Sequence, residues 1–100
     1  MPPPTSELAA AQQAVTRAEG ADADQYAVQE LGVARNALSR AQAAMAEGRE
    51  DDARRLAAAA DADADLAYAK SRDALTTAEL NQRRAEVAEL HQRLQTGGRR

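Results

Sequence analysis

Carboxylates at alternate positions, Asp61, Asp63 and Asp65, are the first residues of this chain with a spacing that suggests chemistry. The calcium loop of an EF-hand opens with carboxylates at its first, third and fifth positions, but it also needs Gly at the sixth and Glu at the twelfth. Leu66 and Arg72 stand there instead, and Asp22 with Asp24 fails the same way, with Val33 in the twelfth place. On a helix Asp61 and Asp65 share a face and Asp63 points elsewhere, so the run reads as a solvated acidic face. His91 is the only histidine, which excludes a zinc-binding His pair and a two-histidine acid–base dyad. Its neighbours Glu89, Gln92 and Arg93 mark an exposed helix position. Ser6, Ser39 and Ser71 lie in no nucleophile-elbow context, and no glycine-rich phosphate loop is present. The absence of cysteine removes disulfides, thiol nucleophiles and thiolate metal sites, and fits either redox compartment. No catalytic residue, cofactor or metal is expected, and the chain does not read as an enzyme.

Charge is divided unevenly. Residues 1–80 hold 8 basic and 14 acidic side chains, net −6, whereas residues 81–100 hold 5 basic and 2 acidic, net +3. Arg83, Arg84, Arg93, Arg99 and Arg100 are the groups that would meet phosphate. No aromatic residue interleaves them, Glu86 and Glu89 sit among them, and the acidic body would repel a polyanion. Nucleic acid is therefore not an expected partner, and the arginines read as a charged coiled-coil flank with a frayed tail. Tyr26 and Tyr68 are the only aromatics and read as packing residues at the edge of a core, with hydroxyls reaching water or a carbonyl.

The elements that must position these groups are helices. Of 100 residues 44% are hydrophobic, but 27 of them are alanine, and Ile and Phe are absent with only four Val. Strand formers are too scarce for a sheet, and alanine favours helix throughout. Each buried Ala contributes about one methyl against ~1.5–3 kcal/mol for a buried Leu or Val, so the core is lean and the chain forms one domain at most. No run of apolar residues is long enough to span a membrane.

Gly20 and Gly48 divide the chain into three helical segments. The first starts at Thr5 or Ser6 and ends at Glu19, with Leu8, Ala11, Val15 and Ala18 on one side and Gly20 in the left-handed closing position. The second runs from Asp24, a fair N-cap, to Glu47 along Ala27, Leu31, Ala34, Leu38, Ala41 and Met45. Gly32 beside that stripe reads either as a point of close helix approach or as a simple helix defect. The third runs without Gly or Pro from Arg49 to Thr96, with Ala53, Leu56, Ala57, Ala60, Ala64 and Ala67 in its first half. Thr76-Thr77-Ala78-Glu79 fits a capping box, which leaves a break near Thr76 and a fourth helix as the alternative.

The expected architecture is all-α, a three-helix antiparallel bundle with a long, projecting third helix. Residues 1–5 form a disordered Pro-rich lead-in, 6–75 the bundle, 76–96 a helical extension and 97–100 a disordered tail. The extension carries Leu80, Arg83, Val87, Leu90 and Leu94 on one stripe, which needs a partner surface. These five residues are the candidate self-association site, through which the chain is expected to form a weak homodimer. Arg83 opposes a tight parallel pairing, in which two copies would face each other there, and favours an antiparallel one. The alternative function, an amphipathic helix lying on a lipid surface, is disfavoured by the lack of aromatic anchors and the mixture of Arg with Glu.

One ordered pattern goes further. The Pro-rich start, Ala14-Val15, Ala18, Gly20-Ala21, Tyr26-Ala27 with Glu30-Leu31, Ala34, Leu38, Ala41, Gly48, Ala53, Leu56-Ala57, Ala60 and Asp63-Ala64 with Ala67 resembles the bacterial envelope domain of unknown function catalogued as number 4398. The resemblance covers residues 2–75, and the Tyr26-Ala27…Glu30-Leu31 element and the Gly48 turn carry most of it. That family often has Pro after the Tyr-Ala pair, where Val28 stands here. The resemblance implies a periplasmic helical domain, usually of a lipoprotein anchored in the outer membrane and often preceding an OmpA-like domain. The lipid-bearing Cys and signal sequence would lie upstream of the three prolines, and the long helix would be a stalk towards a further domain or towards another envelope protein. It implies no catalytic residues.

Overall fold

The computed structural model describes residues 2–97; the rest of the expected tail, 98–100, lies outside the described residues. Four helices follow in order: α1 Thr5–Gly20, α2 Ala23–Tyr26, α3 Val28–Ala46 and α4 Glu50–Gly97. The all-α bundle with a long final helix is as expected, and α4 is continuous, so the capping box at Thr76 opens no new helix.

Several boundaries differ from expectation. The prolines are not a loose lead-in: Pro4 is fully buried, its carbonyl accepts from the Leu8 N–H at 3.0 Å, and Arg54 donates to the Pro2 carbonyl at 2.7 Å. Pro4 occupies the N-cap position in place of Thr5 or Ser6. Gly20 ends α1 in ordinary helical geometry, and the left-handed residue is Asp22 (φ 63°), a side chain that tolerates that region. The segment expected as one helix from Asp24 breaks at Ala27, whose φ of −143° leaves the helical region. The Ala27 N–H still donates to the Ala23 carbonyl and its carbonyl accepts from the Leu31 N–H, both at 2.9 Å, so the break leaves neither group of Ala27 unpaired. Gly32 faces open space, which removes the close-approach reading.

The α3–α4 turn is where glycine is required. Gly48 has φ 79°; its N–H bonds the Met45 carbonyl at 3.1 Å and the Arg49 N–H bonds the Ala44 carbonyl at 2.8 Å. These two bonds satisfy the last carbonyls of α3 in a Schellman arrangement. Glu50, Asp51 and Asp52 then place negative charge in the first turn of α4, where the helix dipole favours it. Arg49 bridges Glu47 at 2.9 Å and Asp52 at 3.0 Å, and the Glu47 contact raises its pKa above the ordinary arginine value.

From that turn α3 runs back antiparallel to α4, tied by Lys70 to Glu30 at 2.9 Å. The Lys70 hydrogen bond holds the Glu30 carboxyl below its ordinary pKa. Helix α1 lies along both, with Glu19 paired to Arg35 and Gln42 donating to Gln12 at 3.3 Å. Its Arg17 guanidinium sits 3.8 Å over the Tyr68 ring, and hydrogen bonding from Arg17 lowers the Tyr68 phenol pKa. The core between the helices is alanine with Val15, Leu31 and Leu38, and Leu8, Leu56 and Tyr68 close its edge. The chain measures 78 × 20 × 13 Å with a radius of gyration of 21.2 Å, against about 13 Å for a globular chain of this length. The excess is the free part of α4.

Candidate functional site

Beyond the bundle α4 continues alone, and every residue from Thr76 to Gly97 is exposed. A helix of this pitch turns about 100° per residue, so Leu80, Arg83, Val87, Leu90 and Leu94 fall within an arc of about 80°. The structure thus brings all five sequence-assigned residues onto one stripe. Its apolar members are 47% (Leu80), 66% (Val87), 58% (Leu90) and 68% (Leu94) exposed. Other exposed apolar residues, Val28, Val33 and Leu66, lie on the bundle. Scattered apolar side chains are ordinary on protein surfaces, whereas a contiguous row asks for a partner.

The flanks of the stripe are charged. Arg84, Ala88 and His91 join Arg83 and Val87 around a shallow apolar groove on one side. The sequence pattern is not read as placing Ala88 or His91 there, although their helical spacing from Arg84 puts them beside the stripe. Other groups pair along the helix: Arg93 with Glu89 at 2.6 Å, and Gln82 donating to Glu86 at 3.3 Å. Among the described residues Arg83, Arg84 and Glu79 make no ion pair with their own chain.

The remaining candidates lie elsewhere. Asp61 and Asp65 share a shallow groove between α1 and α4 with Gln13 and Arg17. Among the described residues no cluster of three or more His, Cys, Asp or Glu side chains is placed to hold a metal ion. Ser71 is fully buried, and its Oγ makes no hydrogen bond within the described residues. No described helix is long and apolar enough to cross a membrane.

A family described as a domain of unknown function, DUF4398, matches residues 6–83. The chain belongs to the DUF4398 family. The match takes in α1, α2, α3 and α4 as far as Arg83, so the DUF4398 segment is the helical bundle together with the root of the extension. Val87, Leu90 and Leu94 stand beyond it. No curated protein and no solved structure matches this DUF4398 chain.

Proposed function

We propose that this protein is a non-catalytic structural and interaction module of the bacterial cell envelope, a helical spacer whose free α4 segment pairs with a second copy. The observation that carries this reading is the uncovered row Leu80, Val87, Leu90 and Leu94 on a stretch of helix without a neighbour among the described residues. Helical stability in proteins comes mostly from packing an apolar face rather than from propensity, and each apolar side chain gains up to ~1.5–3 kcal/mol on full burial. Membership of DUF4398 supports the envelope setting, through the resemblance to periplasmic lipoprotein domains that often precede an OmpA-like domain. On this reading the full-length form stands in the periplasm on an outer-membrane lipid anchor, with the bundle at the base of a stalk.

Sedimentation velocity across a hundredfold concentration range tests the assembly role. The expected result is a shift from monomer to dimer; a strict monomer throughout overturns it. The second reading, an amphipathic helix on a lipid surface, draws on Arg83 within the stripe and Arg84 and Arg93 beside it. Strong co-sedimentation of a monomeric protein with anionic vesicles would favour it over pairing. Fractionation of producing cells tests the setting: an outer-membrane pool is expected, and a cytosolic one contradicts it.

A further inference from the structure

The uncovered part of α4 reads as heptads, with Leu80, Val87 and Leu94 at one seam position and Arg83 and Leu90 at the other. In a parallel pairing in register each seam residue meets itself, so Arg83 meets the partner's Arg83 between two apolar layers. An antiparallel pairing crosses the two seam positions instead, and facing residue numbers add to a constant. A constant of 177 leaves Leu80 against the partner's Gly97, and 163 sets Leu90 against the partner's Asp73. A constant of 170 places Leu80 on the partner's Leu90, Arg83 on the partner's Val87, and Leu94 on the partner's Thr76. Every apolar member of the stripe is then covered.

The charges favour the same register. Arg83, without an ion pair in its own chain among the described residues, comes beside the partner's Glu86. Glu79, equally free, comes beside the partner's Arg93. The two copies of Glu86 approach each other at the twofold axis with an Arg83 from each side between them, which offsets their repulsion.

Resting on the pairing proposed above, we infer that two copies of this chain join antiparallel through residues 76–94, with the twofold axis at Ala85. The dimer is then a rod with a bundle at each end, its two Glu50 residues separated by about 105 Å at ~1.5 Å per residue. Such a shape spaces two anchored bundles apart, whereas a parallel dimer would set them side by side.

Because the chain has no cysteine, single cysteines carry spin labels cleanly. Labels at Ala62→Cys in the full chain are expected about 70 Å apart in the dimer, and labels at Gln82→Cys about 20 Å apart, from the rise per residue and the helix diameter. Short distances, below about 30 Å, at both positions would establish parallel helices and overturn the antiparallel assignment while leaving the pairing intact. A monomer by sedimentation velocity, with no interchain distance at either site, overturns both. Arg83→Glu is expected to weaken the dimer several-fold and Arg83→Glu with Glu86→Arg to restore it; a swap that restores nothing contradicts the register.

Discussion

Residues 53–71 and 76–97 belong to one uninterrupted helix, yet they allocate side chains in opposite ways. The covered part buries Ala53, Ala57, Ala60, Ala64, Ala67 and Ser71, while the uncovered part displays Leu80, Val87, Leu90 and Leu94. The fully buried positions of α4 are small residues, since a methyl group lets two backbones approach closely. The large apolar residues of α4 beyond residue 75 stand where no other described helix meets them. The bundle is closed by shape with little apolar area, and the extension leaves its apolar area uncovered. On the proposed reading, folding and assembly are assigned to different halves of one helix.

The sharpest way to break this comparison removes the same atoms from two places. Leu31→Ala, at a residue 1% exposed, is expected to destabilise the fold by about 2–5 kcal/mol in urea denaturation. Leu90→Ala, at a residue 58% exposed, should leave the dilute protein within ~0.5 kcal/mol of the parent. Equal losses would erase the distinction. Overpacking tests the same point from the other side. Ala57→Leu or Ala60→Leu, both at 0% exposure, should cost about 1–3 kcal/mol each, and Ala85→Leu on the extension nothing measurable.

The turn that lays α3 on α4 gives a smaller effect. No atom lies within 4 Å of a methyl group placed on Gly48, so the penalty of Gly48→Val comes from its φ of 79° alone, about 1 kcal/mol by melting. Smallest is Val28→Pro. Val28 is the first residue of α3, where a missing N–H is harmless and a fixed φ suits the helix. The substitution should stabilise the bundle by roughly 0.4–1 kcal/mol through the unfolded chain. A loss there would mean that the break at Ala27 is not a true helix start.

That last position shows what the sequence made legible and what it hid. The burial of Ala34, Ala41, Ala57 and Ala60 and the continuity of α4 follow from spacing, because the +3/+4 period in an alanine-rich chain has few competing patterns. Ala14, Ala37 and Ala44 are buried as well, and period alone does not single them out from the other alanines. The break at Ala27 carries no Gly, Pro or capping side chain, so propensity reads straight through it. Its one signal was the proline that the family often places where Val28 stands, the preferred residue for a first helical position. Pro4 as a buried cap had no signal either, since a proline run reads as an extended lead-in. The exposed row of Leu80, Val87, Leu90 and Leu94 was legible because Leu80, Val87 and Leu94 recur every seven residues, while what covers it is not written in the spacing.

Amide hydrogen exchange at two protein concentrations tests the division of α4 most directly. Amides of residues 53–71 should be protected at both concentrations, because their helix is packed on α1 and α3. Amides of residues 76–97 should exchange quickly in dilute protein and gain protection as concentration rises, since a lone helix frays until a partner covers it. Protection over 76–97 that equals the bundle's and ignores concentration would contradict the claim that this half of α4 waits for a second copy.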